Sequence, residues 1–252
     1  MSSVLQIKNA FLETLGITQN FFAQACNKQI STLPEKLHRS IDHTLLKDSA
    51  TEDDVLQAIE IAKTYHCYSV CLHTKWMGLA RRKLQGSDVI PICVIDFPLG
   101  QAPIEEKIQQ AQKACQDGAQ EIDMVLNHKL FFGQKYQTLL DEIASIKNIC
   151  KPGLLKVIVE SSQLSREELV QASILCVLGG ADYVKTSTGT SHRGASVEDI
   201  ITIAEVVGAS FGIKASGGIA TLESAQSMIQ AGATRIGCSQ TAKIVGHHDS
   251  KL

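Results

Sequence analysis

The chain has 252 residues, of which 44% are hydrophobic and 20% are charged, and its 24 basic and 26 acidic side chains give a formal net charge of −2. This length can bury a full hydrophobic core without a metal or disulfide staple, in one large domain or two small ones. The balanced charge excludes a disordered acidic or basic protein and argues against an extended nucleic-acid-binding surface.

Cysteine usage indicates a reducing compartment, because scattered cysteines in a long chain are typical of free thiols in the cytoplasm. No Cys-x-x-Cys pair occurs, and the first eight residues lack the basic start and apolar core of a signal peptide. No stretch reaches the roughly 18 apolar residues of a membrane span. We therefore expect a cytoplasmic protein. The cysteines are Cys26, Cys67, Cys71, Cys93, Cys115, Cys150, Cys176 and Cys238.

The first predicted element is an amphipathic helix over 4–15, where apolar residues recur at helical spacing. We expect residues 1 to about 36 to form an N-terminal helical segment that packs on the main body. No linker rich in Pro, Gly or Ser divides the rest of the chain. The sequence therefore predicts a single domain over 1–252.

Short apolar runs then alternate with longer helical patterns. Thr51 with Asp54, Ser165 with Glu168, and Ser196 with Asp199 predict capping boxes, and Pro103 suits a first helical turn. Four Gly-Ala pairs, at 118–119, 180–181, 208–209 and 232–233, predict left-handed glycines that end helices. The predicted strands are 39–43, 69–73, 89–96, 121–126, 155–160, 183–187, 211–216 and 234–239.

Eight strands alternating with helices in about 250 residues predict an α/β fold of the (β/α)8 TIM barrel type. The alternative is an open doubly wound sheet. That fold usually carries a Gly-x-Gly-x-x-Gly motif after its first strand. Here the first predicted strand is followed by Thr44-Leu45-Leu46-Lys47, so the barrel is the favoured fold.

One polar residue lies near the C-terminal end of each predicted strand. In a barrel these ends meet at one mouth, where catalytic side chains gather. For Asp96 and Glu160 the alternative is a charge that ends a strand in solvent. In chain order the eight residues are Asp42, Cys71, Asp96, Asp123, Glu160, Lys185, Lys214 and Ser239.

Lys185 and Lys214 interrupt two consecutive strands that are otherwise suited to burial. Lysine is almost never fully buried without a partner or a task. Neighbouring strands lie about 5 Å apart, so the two amines would approach each other. Burial and mutual repulsion then favour a neutral amine, the form that attacks a carbonyl to give a Schiff base. The alternative is a pair of salt-bridged structural lysines.

Asp123 lies four positions after Ala119, just as Lys185 lies four positions after Ala181. Alternate barrel strands share a layer, so this carboxylate is predicted to face the lysine and move protons. A purely structural ion pair is the alternative. For Cys71 the two hypotheses are a pocket-lining residue and a core thiol.

Small residues follow the last three predicted strands, in Thr188-Gly189, Gly217-Gly218 and the segment ending at Ser239. Barrels commonly bind phosphate at such loops through backbone N–H groups. No metal site is expected, because His43, His66 and His73 have no zinc spacing. His247 and His248 are predicted to lie in an exposed tail.

These features together resemble the deoxyribose-phosphate aldolase family, which are class I aldolases on a (β/α)8 barrel. The Val-Lys-Thr-Ser-Thr-Gly motif around Lys185 and the Lys-x-Ser-Gly-Gly motif that begins at Lys214 are specific to this family in combination. The matching segments run in family order and are IDHTLL (41–46), FPLG (97–100), EIDMVLN (121–127), LKVIVE (155–160), VKTSTG (184–189), IKASGGI (213–219) and RIGCS (235–239).

The resemblance implies reversible cleavage of 2-deoxy-D-ribose 5-phosphate to D-glyceraldehyde 3-phosphate and acetaldehyde, without a cofactor. Lys185 matches the family's Schiff-base lysine, Lys214 the lysine that perturbs it, and Asp123 the acid–base carboxylate. The matches to substrate- and phosphate-binding positions are Thr188, Gly189, Gly217, Gly218, Ser239, Asp42 and Cys71.

Two other hypotheses stay open at this point. One is a Schiff-base barrel aldolase for a different phosphorylated sugar, and the other is a catalytically silent phosphate-binding barrel. The expected partner is a phosphorylated sugar rather than a membrane or nucleic acid. A second copy of the chain, in a homodimer, is the alternative to a monomer.

Overall fold

Eight short runs rich in Ile, Val and Leu form strands, and at least one helix follows each of them. The computed structural model describes residues 2–29 and 36–246. All eight strands are parallel, and the last pairs with the first to close a barrel. The strands are β1 (Ile41–Leu45), β2 (Ser69–His73), β3 (Ile90–Ile95), β4 (Glu121–Val125), β5 (Leu154–Ile158), β6 (Tyr183–Lys185), β7 (Gly212–Ser216) and β8 (Arg235–Cys238).

The helices surround this barrel and cover the outward faces of its strands. The helices of the described ranges are α1 (Val4–Thr14), α2 (Gln19–Cys26), α3 (Glu52–Thr64), α4 (Met77–Lys83), α5 (Ile104–Asp117), α6 (His128–Phe132), α7 (Tyr136–Cys150), α8 (Arg166–Leu178), α9 (Val197–Val207), α10 (Leu222–Gln230) and α11 (Thr241–Val245). None of them is long and apolar enough to cross a membrane. The predicted (β/α)8 barrel is confirmed, and the open sheet is wrong.

Local capping signals place several helix starts. The capping boxes at Thr51 and Ser165 form as predicted. The predicted capping box at Ser196 is wrong. The Ser196 hydroxyl accepts from the backbone N–H of Asp199, but the Asp199 carboxylate does not accept from the backbone N–H of Ser196. That carboxylate accepts from Arg193 and from Ser161 instead.

Strand boundaries differ from the prediction by up to two residues. β1 starts at Ile41 because Arg39 belongs to a 3-10 turn over Leu37–Ser40. β6 ends at Lys185, where the chain leaves the barrel for the mouth. All four predicted glycines have positive φ. Gly118 ends α5 in the left-handed region, but Gly208 has ψ near 180° and lies outside it.

The N-terminal helices pack on the outer helices of the barrel. α1 contacts α8 and α9, and α2 contacts α8. The buried side chains Phe11, Leu12 and Phe22 belong to the main hydrophobic core, so this segment extends that core outward. The predicted exposed tail at His247 and His248 lies outside the described residues.

Candidate active site

Two lysines of neighbouring strands lie side by side inside the barrel. Lys185 ends β6, Lys214 lies in the middle of β7, and their Cα atoms are partners in the parallel register. Side chains alternate along a strand, so Val184 and Ile213 face the helices while the lysines face the interior. Lys214 is fully buried and Lys185 is 2% exposed.

The Asp123 carboxylate joins these two lysines. Its Oδ2 atom lies 2.8 Å from Lys185 Nζ and 2.8 Å from Lys214 Nζ. Asp123 is fully buried in β4. The structure therefore brings together the three residues that the sequence predicted for catalysis, with both lysines within direct proton-transfer distance of Asp123.

A third lysine, which sequence reasoning missed, contacts the same carboxylate. Lys156 of β5 donates to Asp123 Oδ1 at 2.9 Å and also to Glu121. It is fully buried. The signal was available in the sequence, since Lys156 interrupts the apolar run of 154–159 just as Lys185 interrupts its own strand.

More charged groups lie deeper in the barrel. Arg235 of β8 donates to Asp42 Oδ1 at 2.9 Å and to Glu121 Oε2 at 3.4 Å. Its guanidinium lies 3.5 Å from the ring centroid of Tyr68. Lys214 Nζ is 2.6 Å from Asp42 Oδ2. Arg235 and Lys214 thus share the Asp42 carboxylate and link the deeper groups to the lysines above.

Together these groups form a buried charge network with four bases and three carboxylates. Its members are Lys156, Lys185, Lys214, Arg235, Asp42, Glu121 and Asp123. With every member ionised the network would hold a net positive charge away from water, which is costly. Among the described residues, three of the bases each contact two carboxylates, whereas Lys185 contacts one. Lys185 is therefore the base that loses its proton most easily.

The pKa shifts follow from the same contacts. Burial lowers the pKa of Lys185 below its ordinary value, and the Lys214 ammonium adds to this against the pull of Asp123. Burial also opposes charge on Lys214, but Asp123 and Asp42 outweigh it and raise the pKa of Lys214. Burial favours a neutral Asp123, yet Lys156, Lys185 and Lys214 hold its pKa well below the usual range. A neutral amine can thus lie beside an ammonium and a carboxylate.

Lys185 opens into a cavity of about 490 Å³ at the mouth of the barrel, here called the lysine cavity. Its wall comes from the segments that follow β1, β6, β7 and β8, together with Phe97 from the segment after β3. Among the lining residues are five predicted substrate-binding positions. They are Thr188, Gly189, Gly217, Gly218 and Ser239.

The loops after β6 and β7 are packed backbone to backbone beside this cavity. A Cβ atom on Gly194 would lie 2.0 Å from the Gly217 carbonyl oxygen, so only glycine allows this approach. The Ala195 N–H donates to the Ser216 carbonyl at 3.0 Å. Ser216 is a lining residue of the cavity, and its hydroxyl oxygen is buried and has no hydrogen-bond partner among the described residues. The two joined loops therefore form one glycine-rich wall of the cavity.

Comparisons with known proteins agree with this geometry. Residues 37–244 match the family model described as DeoC/LacD family aldolase. A deoxyribose-phosphate aldolase of Clostridium botulinum is 46% identical over 210 residues, 83% of this chain and 99% of that protein. One of Mycoplasmopsis pulmonis is 41% identical over 216 residues, 86% and 98% of the two chains. The solved structure of the aldolase QR15 has 35% identity and a TM-score of 0.82, covering 86% of this chain and 97% of that one. The chain belongs to the DeoC/LacD aldolase family.

The remaining predicted residues of this DeoC/LacD family aldolase lie outside the lining of the lysine cavity. Asp42 belongs to the deeper part of the charge network. Cys71 is fully buried in a small apolar cluster with Ile92 and Val94, where burial raises the pKa of its thiol to about 11. Asp96 accepts from the backbone N–H of Ala102 at 3.0 Å and so braces the loop after β3.

A second cavity, of about 740 Å³, adjoins the lysine cavity and shares Thr190 with it. This side cavity is lined by the loops after β3, β4, β5 and β6, and Lys185 is not among its lining residues. Glu160 is one of the lining residues of the side cavity. Its carboxylate accepts a hydrogen bond from the backbone N–H of Thr188. Within the described part of the chain, no three His, Cys, Asp or Glu side chains form a group that could hold a metal ion.

Proposed function

We propose that this aldolase reversibly cleaves 2-deoxy-D-ribose 5-phosphate to D-glyceraldehyde 3-phosphate and acetaldehyde through a Schiff base on Lys185. The observation that carries the proposal is the buried Lys185 amine, which shares Asp123 with Lys214 and opens into a cavity lined by glycine loops. The names of the relatives from Clostridium botulinum and Mycoplasmopsis pulmonis support this substrate.

The reaction begins when the neutral Lys185 Nζ attacks the aldehyde carbon of the open-chain sugar. The carbinolamine that forms loses water and becomes an iminium ion. Asp123 lies 2.8 Å from Nζ and can accept the proton that the amine loses. Lys214 stays cationic because two carboxylates hold its proton, so it keeps the charge that depresses the pKa of Lys185.

Carbon–carbon cleavage follows once the iminium withdraws electrons. The hydroxyl at C3 loses its proton, the C2–C3 bond breaks, and the electron pair moves through C2 to the iminium nitrogen to give an enamine. Glyceraldehyde 3-phosphate leaves as the aldehyde product. Asp123, directly or through a water molecule, is the group we assign to the proton transfers at this stage.

Release of acetaldehyde reverses the first steps. The enamine carbon takes a proton, water adds to the resulting iminium, and the bond from carbon to Lys185 breaks to return the free amine. The phosphate of the sugar is held by backbone N–H groups of the loops at Gly189, Gly217 and Gly218, with the hydroxyl of Ser239. Asp42 lies deeper in the barrel and pairs with Lys214, which helps to keep Lys214 cationic.

We place this reaction in the cytoplasm, in the breakdown of deoxyribose phosphate that nucleosides supply. The cysteine chemistry supports the compartment, since all eight cysteines are free thiols and seven of them are buried. Such an arrangement is typical of a reducing environment. The homodimer stays a prediction from the sequence.

A substrate panel tests the activity. The purified protein is assayed for release of acetaldehyde and glyceraldehyde 3-phosphate from deoxyribose 5-phosphate, and for release of glyceraldehyde 3-phosphate from the alternative substrates ribose 5-phosphate and fructose 1,6-bisphosphate, each with and without EDTA. We expect acetaldehyde from the deoxy sugar alone and no effect of EDTA. Cleavage of a different phosphorylated sugar, or loss of the rate with EDTA, would contradict the proposal.

A further inference from the structure

Glu160 is a buried acidic side chain that the reaction scheme leaves without a role. It lies two residues beyond β5 and is 3% exposed. Its backbone is in the left-handed region, with φ 51° and ψ 61°, a conformation that costs a non-glycine residue about 1 kcal/mol or more. A buried carboxylate in a strained backbone needs strong contacts to hold it.

One carboxylate oxygen, Oε1, accepts weakly from the nearby Ser162 hydroxyl at 3.4 Å, and the other contacts the loop that follows the catalytic lysine. Glu160 Oε2 accepts from the backbone N–H of Thr188 at 3.0 Å and from the Thr188 hydroxyl at 2.5 Å. The same hydroxyl accepts from the backbone N–H of Thr190 at 3.2 Å. The Thr188 hydroxyl therefore acts as both a donor and an acceptor, which holds the side chain in one orientation. Its two hydrogen bonds fix the residues on both sides of Gly189, namely Thr188 and Thr190.

The backbone beside Glu160 reinforces this hold. The Val159 N–H donates to the Lys185 carbonyl at 2.9 Å, and the Ser161 N–H donates to the Thr186 carbonyl at 2.8 Å. The segment after β5 thus lies alongside the segment after β6, from Lys185 up to Thr188. The Glu160 carboxylate makes the last of these contacts, to Thr188, just before the chain turns at Gly189, whose φ is 89°.

The pair also separates the two cavities. Thr188 lines the lysine cavity, and Glu160 lines the side cavity. A carboxylate facing the side cavity repels a phosphate group there. Because Glu160 occupies the Thr188 N–H and the Thr190 N–H donates to the Thr188 hydroxyl, the Gly189 N–H is the donor of this turn that is left for the substrate.

We propose that Glu160 is a positioning residue for phosphate recognition. By holding Thr188 it fixes Gly189 and Thr190 in the conformation that binds the phosphate of the substrate, on the side of Gly217 and Gly218. This inference rests on the proposed function. It predicts that loss of the Glu160 carboxylate weakens binding of the phosphorylated substrate, while the chemistry of Lys185 with a small aldehyde continues.

The test compares Glu160→Ala with Glu160→Gln, which keeps the shape and one acceptor oxygen, and with Glu167→Gln, an exposed carboxylate on α8. For Glu160→Ala we expect KM for deoxyribose 5-phosphate to rise about 10-fold or more, as for the loss of hydrogen bonds to a charged group. We expect a smaller rise for Glu160→Gln and none for Glu167→Gln. Borohydride trapping of acetaldehyde on Lys185, which needs no phosphate, should change much less than KM.

Parallel losses in trapping and in cleavage by Glu160→Gln would overturn the inference, because Glu160 would then act on the lysine or on the fold. An unchanged KM in a folded Glu160→Ala protein would overturn it as well. Calorimetric titration with inorganic phosphate separates this result from failure of the proposed function. A wild-type protein that traps no acetaldehyde refutes the aldolase mechanism, whereas the Glu160 inference still requires phosphate to bind about 10-fold more weakly to Glu160→Ala.

Discussion

At the scale of single residues, Lys185 differs from the other buried bases by its number of partners. Lys156 and Lys214 each contact two carboxylates, and Lys185 contacts one. An amine that attacks a carbonyl must be neutral, and an amine with fewer carboxylate neighbours gives up its proton at lower pH. The unequal sharing of carboxylates therefore supports the proposal that Lys185 is the nucleophile among the three lysines.

Replacing Lys214 tests this selection. In Lys214→Gln the ammonium that lowers the pKa of Lys185 is gone, so that pKa rises and the neutral fraction falls about tenfold per unit of pKa. The acid limb of the kcat/KM profile against pH should move to higher pH, and activity at pH 7 should fall. Steady-state rates across the pH range measure both effects.

Lys214→Arg is the matched control because it keeps the positive charge. Its rate is expected to fall through altered geometry, but its acid limb should stay near that of the wild type. A Lys214→Gln protein whose acid limb does not move would show that Lys214 does not control the protonation of Lys185.

The sequence predicted three members of this network for catalysis and missed others. Lys185 and Lys214 were recognisable because burial of a lone lysine is rare. Lys156 is likewise a lone lysine in an apolar strand. The prediction for that strand chose Glu160 instead, because Glu160 lies at the predicted strand end. Arg235 lies at the N-terminal end of its strand, where a charge is ordinarily read as solvent-exposed. Only the closed barrel shows that these residues face one interior.

At the scale of elements, the β6–α9 and β7–α10 loops act as one unit. The hydrogen bond from Ala195 to Ser216 and the close approach of Gly194 to Gly217 join them. Sequence periodicity predicts strands and helices well, since each has its own repeat. It does not predict which loops touch, because that depends on barrel closure. The glycines indicated a phosphate site, whereas the Gly194 contact became visible only in the structure.

Gly194→Ala tests the coupling of these loops. The new methyl group would lie 2.0 Å from the Gly217 carbonyl oxygen, so one loop must move. We expect the free energy of unfolding to fall by about 1–3 kcal/mol and KM for the phosphorylated substrate to rise. Urea denaturation and steady-state kinetics provide the two measurements.

Gly78→Ala is the control in helix α4, where the nearest heavy atom to the new Cβ is Arg82 Nη1 at 3.8 Å. This change should stabilise the protein by about 0.5–1 kcal/mol and leave KM alone. Equal behaviour of the two variants would mean that the Gly194 contact does not shape the phosphate site.

At the scale of the whole molecule, buried titratable groups lie on both sides of the barrel wall. The interior holds the paired charges described above, whereas His43 lies on the outer side of β1, with Nδ1 2.8 Å from Thr241 Oγ1. Burial lowers the pKa of His43 from 6.5 to about 4. The folded protein therefore keeps this imidazole neutral in a pH range where the unfolded chain protonates it.

This difference predicts how global stability depends on pH. Between pH 6.5 and pH 4 the unfolded state binds more protons than the folded state, so stability falls as the pH falls. From pH 7 to pH 5 His43 should cost about 2 kcal/mol of unfolding free energy. Urea denaturation at both pH values should show this loss in the wild type and a smaller loss in His43→Asn. An equal loss in both proteins would assign the pH dependence to other groups.

We propose that Lys185, among the three lysines around Asp123, forms the Schiff base. Incubation of the protein with deoxyribose 5-phosphate and sodium borohydride, followed by peptide mass mapping, tests it directly. We expect inactivation and a reduced adduct on Lys185 alone. An adduct on Lys214 or Lys156, or full activity with no adduct, would contradict it.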